Sequence, residues 1–213
     1  MNCCTEGAWA EFFTTRVARR DARRYRRRGL DATGRRIVEL VRRRGVQGKT
    51  VLEVGGGIGA IQLEVLRAGA GRATNVELSP AYEPFAAALV AESGLHARVD
   101  RRILDFAEHP DAVEPANVVI LHRVVCCYPD YEALVGAAAD HAHEQLVLTF
   151  PRAAWWMRAG IALVNLFQRL RRQPFRVYLH SPAAIVSVAE SRRFQSTVRE
   201  RGLVWELAEF ARS

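Results

Sequence analysis

The stretch KTVLEVGGGIGAIQLEVL, residues 49–66, places four glycines within five residues, between an apolar run and a segment with helical periodicity. A short apolar run that ends in glycines is typical of a buried strand that turns sharply into a helix. At such a turn, free backbone N–H groups and the positive end of the helix dipole point outward, and glycines let a ligand touch the backbone. The stretch therefore predicts a strand–loop–helix unit that cradles a nucleotide-like ligand at the carboxyl edge of a sheet.

From Lys49 onward, strand and helix patterns alternate along the chain. The patterns predict strands at residues 50–54, 72–77, 98–103, 117–122 and 145–150, and helices near 60–69, 81–93, 131–143 and 182–193. The last part, QSTVRERGLVWELAEFAR, predicts two strands joined through Arg201-Gly202. This alternation predicts an α/β fold with a mostly parallel sheet, covered by helices on both faces and ending in an antiparallel strand.

A helical extension is predicted before the sheet, over residues 1–48. Apolar residues recur there every three or four positions, first at Trp9, Phe13 and Val17 and then at Ile37, Leu40 and Val41. Gly29 and Gly34 are expected to break the chain between the two helices. We expect the extension to pack over the carboxyl edge of the sheet or its side, and residues 49–213 to form the ligand-binding domain.

An insert is predicted at about residues 152–181, between the fifth strand and the next helix. Its apolar residues fall on one helical stripe and its polar residues on the other side: Trp156, Gly160, Leu163, Phe167 and Leu170 against Arg158, Asn165, Arg169 and Arg172. The pattern predicts a lid or a helix that lies on a surface. Peripheral contact with a membrane is therefore an open possibility.

Composition restricts the classes of protein. The chain has 213 residues, of which 49% are apolar, and it contains no apolar run of the length that a bilayer requires. Its start lacks a basic segment followed by an apolar one, so we expect a cytoplasmic protein. The four cysteines form two adjacent pairs, Cys3-Cys4 and Cys126-Cys127, and such spacing favours reduced thiols over a metal site.

The net charge of +8 comes from one segment. Residues 16–44 hold thirteen arginines against Asp21, Asp31 and Glu39. A solvated helix face is the simplest interpretation, while nucleic acid, an acidic partner or an anionic surface would also fit. The segment HRVVCCYPD after the fourth strand lacks an Asn/Asp-Pro-Pro-Tyr motif that would reach a base, so binding of nucleic acid is disfavoured.

Two cofactor classes compete for the glycine loop. Gly55, Gly57 and Ala60 satisfy the dinucleotide fingerprint G-x-G-x-x-A, and Glu77 follows at the distance that suits a ribose, so an NAD(P)-dependent oxidoreductase is one alternative. Glu53, however, lies two residues before the first glycine, and its carboxylate suits an ammonium group better than a pyrophosphate. Asp105 and Phe106 follow the third strand, where an acid and a ring suit an adenine.

In order and spacing, Glu53 to Gly59, Glu77, Asp105-Phe106 and VVILHRVVCCYPD resemble the class I S-adenosylmethionine-dependent methyltransferases. The resemblance covers about residues 35–150 and implies a Rossmann-like, doubly wound, seven-stranded sheet with S-adenosylmethionine as cofactor. It implies the following cofactor contacts: Gly55, Gly57 and Gly59 on the methionine part, Glu53 near its amino group, Glu77 on the ribose, Asp105 and Phe106 on the adenine, and His122 beside the sulfonium.

The acceptor of the methyl group is expected to be a small apolar or aromatic molecule, with O-methylation favoured. Candidate acid–base residues are His122, Tyr128 and His180, and Trp155, Trp156 and Phe167 are expected over the site. The segments VVCCYPDYEAL and RVYLHSP are similar to those of magnesium-protoporphyrin O-methyltransferases, in which a histidine precedes Tyr-Pro. This chain has Cys127 at that position. A non-catalytic protein that binds the cofactor and docks a partner through the Arg-rich segment is the remaining alternative.

Overall fold

A computed structural model describes residues 7–213, so the Cys3-Cys4 pair lies outside the described residues. The described chain folds around one seven-stranded sheet with the order β3-β2-β1-β4-β5-β7-β6. Its strands are β1 Thr50–Val54, β2 Arg72–Glu77, β3 Val99–Ile103, β4 Ala116–His122, β5 Ala142–Pro151, β6 Phe194–Arg201 and β7 Trp205–Arg212. Strands β1 to β5 pair in parallel, and β7 is antiparallel to both β5 and β6. The Rossmann-like sheet that the sequence predicts is confirmed.

Eight α-helices surround the sheet in the described part of the chain. They are α1 Gly7–Phe12, α2 Thr15–Arg28, α3 Ala32–Arg43, α4 Ala60–Arg67, α5 Glu83–Ser93, α6 Tyr131–His141, α7 Trp155–Leu170 and α8 Pro182–Ser191. One apolar cluster joins α6 and α8 to the sheet, and a second joins α3 and α4 to it. Helices therefore cover both faces of the sheet. Strands β1, β4 and β5 are buried on both faces, which explains why their sequences are nearly continuous apolar runs.

The N-terminal extension differs from its sequence prediction in two places. It forms three helices rather than two, because the chain breaks after α1 at Phe13-Thr14. Gly34 does not interrupt a helix but lies inside α3, where an added Cβ would stand 3.3 Å from the Leu30 Cβ atom. A side chain at position 34 would therefore crowd Leu30. Asp31 begins α3 by accepting a hydrogen bond from the Gly34 N–H.

The three N-terminal helices pack on different parts of the core. Residues Ile37, Leu40 and Val41 of α3 join the apolar cluster on one face of the sheet. Ala18 and Ala22 of α2 are buried against the cluster that contains Leu89 of α5. The arginines of α2 consequently lie on its other sides, towards solvent.

Strands β1 and β4 are neighbours at the point where the strand order reverses. The connections after them lead to opposite sides of the sheet, which leaves a crevice outside their carboxyl ends. The glycine loop follows β1, and Arg123 and Val124 follow β4, so both line this crevice. The fold thus brings together two segments that are almost seventy residues apart in the sequence.

Candidate functional site

The glycine loop after β1 is built from residues in the left-handed region. Gly55, Gly57 and Gly59 have φ angles of 65°, 55° and 74°, which side chains other than glycine rarely adopt. An added Cβ at Gly55 would lie 2.5 Å from Val124 Cγ2, so the loop also touches the segment after β4. Val124 therefore leaves no room for a side chain at Gly55, and the loop lines a cavity of ≈ 260 Å³.

Glu77, at the end of β2, supports this loop from beneath. Its Oε2 accepts from the Gly57 N–H at 2.8 Å, and its Oε1 accepts from the Leu78 and Ser79 N–H groups at 2.8 and 2.9 Å. Burial raises the pKa of Glu77, against the lowering effect of these three hydrogen bonds. Glu77 lines the cavity, as a residue that contacts the ribose of the cofactor is expected to do.

Asp105 and Phe106, after β3, form the far wall of the cavity. Asp105 Oδ1 accepts from the Ala107 and Glu108 N–H groups at 3.0 and 3.3 Å, so it also caps the turn that follows. The Tyr128 hydroxyl donates to the Asp105 carboxylate, with both oxygens at 3.1 Å. Tyr128, proposed from the sequence as an acid–base candidate, therefore positions Asp105, and burial raises the pKa of its hydroxyl.

His122 ends β4 beside the glycine loop. Its Nδ1 lies 3.0 Å from Thr149 Oγ1, and the same hydroxyl accepts from the Arg123 N–H at 2.8 Å. Burial, followed by the neighbouring Arg123 charge, lowers the pKa of His122 to about 4. The imidazole is therefore neutral at physiological pH and faces the cavity as a hydrogen-bonding group rather than a cation.

Arg123 is a site residue that the sequence analysis did not predict. It has a φ of 62° and donates to Asp31 Oδ2 at 2.5 Å, while its guanidinium lies 4.9 Å from the centre of the Trp205 ring. A left-handed arginine is uncommon and persists only where its surroundings hold it. No sequence pattern marks this conformation, because the partners come from the N-terminal helices and from β7.

Helix α1 and the connection between α1 and α2 cover the cavity. Trp9 and Phe13 line it, with the Trp9 ring stacked on Tyr128 at a centroid distance of 6.2 Å. The Ser79 hydroxyl donates to the Phe13 carbonyl at 2.7 Å and ties this cover to the segment after β2. Asp21 is a second lining residue that we missed, although it shares the buried face of α2 with Ala18 and Ala22.

A second cavity of ≈ 310 Å³ lies on the other side of the glycine loop. Glu53, Arg20 and Arg24 line it, and His122 and Arg123 line both cavities. The carboxyl group of Glu53 lies beneath Gly56 and accepts from the Gln62 N–H at 3.1 Å and from Asn75 Nδ2 at 3.3 Å. The two cavities also share Gly55 and Gly56, so both adjoin the glycine loop and His122.

Burial raises the pKa of Glu53 from 4.5 to about 7. A group whose pKa is raised by folding binds its proton more tightly in the native state, so its contribution to stability is lost as the pH rises from 4.5 to 7. We expect Glu53→Gln to remove this loss, which amounts to roughly 3 kcal/mol of unfolding free energy. Urea unfolding of both proteins between about pH 4.5 and about pH 8 measures it, and parallel stability curves would contradict the prediction.

Two sequence expectations concern residues that the structure places elsewhere. His180 does not line the cavity between the glycine loop and Phe106; its Nε2 lies 2.9 Å from the Tyr128 carbonyl oxygen, and its ring stacks on Tyr178. The expectation that Trp155, Trp156 and Phe167 lie over the site is wrong, because these side chains on α7 are exposed and line neither cavity. Aromatic cover comes from Trp9 and Phe13 instead.

The adjacent cysteines after β4 are free thiols, with 3.7 Å between the Sγ atoms. Cys127 lines the cavity, whereas Cys126 is buried. The hydrogen bond with Cys126 and burial raise the pKa of the Cys127 thiol. Cys127 therefore remains protonated at neutral pH and does not replace the base that a histidine would supply at this position.

No protein-family model and no curated protein sequence matches this chain. Its structure is similar to that of magnesium protoporphyrin IX methyltransferase from Synechocystis PCC 6803 with bound SAH, at 20% identity, a TM-score of 0.70 and coverage of 85% of this chain and 82% of the other. An O-methyltransferase family protein from Burkholderia thailandensis matches at 18% identity, a TM-score of 0.68 and coverage of 85% and 56%.

A third similar structure is geranyl diphosphate C-methyltransferase from Streptomyces coelicolor A3(2), in complex with Mg²⁺, geranyl diphosphate and S-adenosyl-L-homocysteine. It matches at 13% identity, a TM-score of 0.65 and coverage of 83% of this chain and 78% of the other. The chain thus has the fold of S-adenosylmethionine-dependent methyltransferases. Magnesium protoporphyrin IX and geranyl diphosphate, named for two of these structures, are different acceptors, so the fold leaves the acceptor open.

Proposed function

We propose that this protein is an enzyme that transfers a methyl group from S-adenosylmethionine to a small acceptor. The observation that carries the proposal is the arrangement of the left-handed glycine loop, Glu77 and Asp105 around one cavity at the carboxyl ends of β1, β2 and β3. The site fits the cofactor because the backbone of the glycine loop and the carboxylates of Glu77 and Asp105 line one cavity, and carboxylates can accept from hydroxyl and amino groups. Similar structures of the same fold were determined with SAM or SAH bound.

Four residues that line the two cavities bind the cofactor in this proposal. Glu77 accepts from the two ribose hydroxyls, Asp105 accepts from the adenine amino group, and Phe106 packs against the adenine ring. Glu53 faces the amino group of the methionine part, whose positive charge would ionise a carboxyl group with a pKa of about 7. Binding of the cofactor is then coupled to release of a proton from Glu53.

When bound, S-adenosylmethionine supplies an electrophilic methyl group, and in-line transfer requires the acceptor atom at about 3 to 3.5 Å from the methyl carbon. Trp9 and Phe13 exclude water from the cavity, which strengthens the electrostatic interactions inside it. His122 orients the acceptor, because Thr149 engages its Nδ1 and leaves Nε2 for the substrate.

We propose O-methylation of an apolar or aromatic acceptor. The cavity walls contributed by Trp9, Phe13 and Leu134 are apolar and suit such a molecule. The pKa of His122, at about 4, makes it a weak base, which suits an acceptor oxygen that is acidic or already ionised. We do not assign His180 a part in the reaction, because its Nε2 is engaged by the Tyr128 carbonyl.

Calorimetric titration with S-adenosylhomocysteine, NAD and NADP tests the cofactor. We expect micromolar binding of the sulfur ligand alone. Asp105→Ala should weaken that binding about tenfold, since it removes one hydrogen bond to the adenine and a turn cap. Asp140→Ala, at an exposed carboxylate on α6, is the matched control.

Each of the other outcomes would support a different function for this protein. Binding of a nicotinamide cofactor would replace the proposal by an oxidoreductase. Binding of neither ligand would favour partner docking through the Arg-rich segment. Binding of S-adenosylhomocysteine without methyl transfer to any of a broad panel of hydroxyl and carboxyl compounds would indicate a non-catalytic cofactor-binding protein.

A further inference from the structure

Helix α7 packs on the protein with its polar side, unlike a typical surface helix. The side that packs on the protein carries Asn165, which exchanges hydrogen bonds with the Val177 backbone at 2.8 and 2.9 Å, and the buried Gln168. The apolar stripe of the sequence faces solvent instead, with Leu163 68% exposed and Leu170 76% exposed. A helix on a soluble protein normally buries its apolar side, so this side of α7 lacks its usual partner.

The exposed apolar surface is concentrated on this helix. Among residues 7–213, eleven large apolar side chains are exposed, and seven of them belong to α7. They are Trp155, Trp156, Leu163, Val164, Leu166, Phe167 and Leu170. A contiguous apolar patch of this kind indicates an interaction site, whereas single exposed apolar residues need no explanation.

The charged side chains in and next to α7 in the sequence are all positive. Residues 145–189 contain no aspartate or glutamate and six arginines, at positions 152, 158, 169, 171, 172 and 176. The Arg171 guanidinium lies 4.2 Å from the centre of the Phe167 ring, and that of Arg152 lies 5.4 Å from the Trp156 ring, so cations adjoin the apolar side chains. The partner must therefore be apolar and negatively charged at the same time.

We propose that α7 docks the protein on an anionic phospholipid surface, lying in the plane of the interface. Apolar side chains would enter the boundary of the acyl chains, tryptophans would lie at headgroup level, and arginines would contact phosphates. No helix among residues 7–213 is long and apolar enough to cross a bilayer, which agrees with surface contact rather than insertion. A second copy of the chain is disfavoured, because pairing two α7 faces would oppose arginines with arginines.

Vesicle flotation of the full chain tests this inference independently of the proposed enzymatic function. We expect binding to vesicles that contain phosphatidylglycerol, with a blue shift of Trp155 and Trp156 fluorescence, and weak binding to phosphatidylcholine alone. Because the attraction to lipid phosphates is electrostatic, added salt should weaken the binding. Flotation with neither kind of vesicle overturns the proposal.

Substitutions on α7 distinguish its contribution to vesicle binding from that of exposed leucines elsewhere on the protein. Leu163→Gln with Leu170→Gln should weaken binding to anionic vesicles about a hundredfold, or about tenfold for each side chain withdrawn from the interface. Leu203→Gln in the β6–β7 turn is the matched control, since Leu203 is as exposed as Leu170, at 76%. All three positions are exposed, so the variants should fold. Equal losses in the control and the α7 variant would overturn the proposal.

Charge reversal distinguishes a local effect of the arginines near α7 from an effect of the net charge of the protein. Arg169→Glu with Arg171→Glu should weaken binding about a hundredfold or more, since each arginine near an anionic surface contributes about 1 kcal/mol. Arg19→Glu with Arg23→Glu on α2 makes the same change in net charge and should leave binding nearly unchanged. Equal loss in both pairs would overturn the assignment to α7. Sedimentation velocity showing a dimer that Leu163→Gln dissociates would assign the patch to a second copy instead.

Discussion

Replacing Glu77 with alanine is expected to weaken binding of S-adenosylhomocysteine by about a hundredfold, or about 3 kcal/mol, because two charge-assisted hydrogen bonds to the ribose are lost. The substitution also removes the acceptor of the Gly57, Leu78 and Ser79 N–H groups, which leaves three backbone donors unpaired. Calorimetric titration measures the affinity, and urea unfolding measures the accompanying loss of stability.

Two further variants separate these effects. Glu77→Gln retains one carbonyl oxygen, which can accept from Leu78 and Ser79, but its NH2 group would then face the Gly57 N–H. It should therefore lose less stability than Glu77→Ala while losing roughly tenfold in affinity. Glu92→Ala removes an exposed carboxylate that pairs with Arg26 and should leave both quantities unchanged. An affinity of Glu77→Ala within about threefold of the unmodified protein would contradict the assigned role of this residue.

Gly55→Ala is expected to destabilise the protein by about 3 kcal/mol and to abolish measurable binding of the cofactor. The methyl group would add left-handed strain at a φ of 65°, which costs about 1 to 2 kcal/mol, and an overlap with Val124 Cγ2 at 2.5 Å. Relief of this overlap must move the segment after β4 or the glycine loop, and both line the cavity. Urea unfolding and calorimetric titration measure the two effects.

The chain offers matched glycines for this experiment. Gly94 has a φ of 69°, but an added Cβ there would meet nothing within 4 Å, so Gly94→Ala reports the backbone strain alone. Gly160, inside α7, also has open space around it, and Gly160→Ala should be neutral or slightly stabilising. If Gly55→Ala costs no more than Gly94→Ala and still binds the cofactor, the contact with Val124 has no functional importance.

Much of the fold could be predicted from local patterns. The observed bounds of β1 and β2 equal the predicted ones, because glycines stand next to both strands, after Val54 and before Arg72, and mark where the chain turns. Strand β5, observed at Ala142–Pro151, extends beyond the predicted 145–150, since its ends depend on pairing with β4 and β7. The predicted break at Gly34 is wrong for a related reason, because close contact with Leu30, and not a break in the helix, favours a glycine there.

The candidate site was predicted only in part. Glu53, Glu77, Asp105 and His122 stand at strand ends, where the sequence spacing is informative, and all four line one of the two cavities. Thr149 was missed, since its role comes from pairing of β5 with β4 beside His122. The sequence predicts Trp9 and Phe13 in one helix, but Phe13 lies at the break between α1 and α2, and the place of both residues over the cavity depends on packing against Tyr128 and Ser79.

The sequence by itself determined the order of the strands along the chain, the glycine loop and the acids that follow β2 and β3, because each is specified by neighbours within a few residues. Tertiary structure alone decided three other properties: the left-handed Arg123, the covering of the cavity by α1, and the outward direction of the apolar side of α7. Periodicity shows that α7 has two sides but not which of them meets the protein. That choice depends on what lies beneath the helix, where Val177 offers a backbone N–H and a carbonyl that Asn165 can satisfy and a leucine cannot.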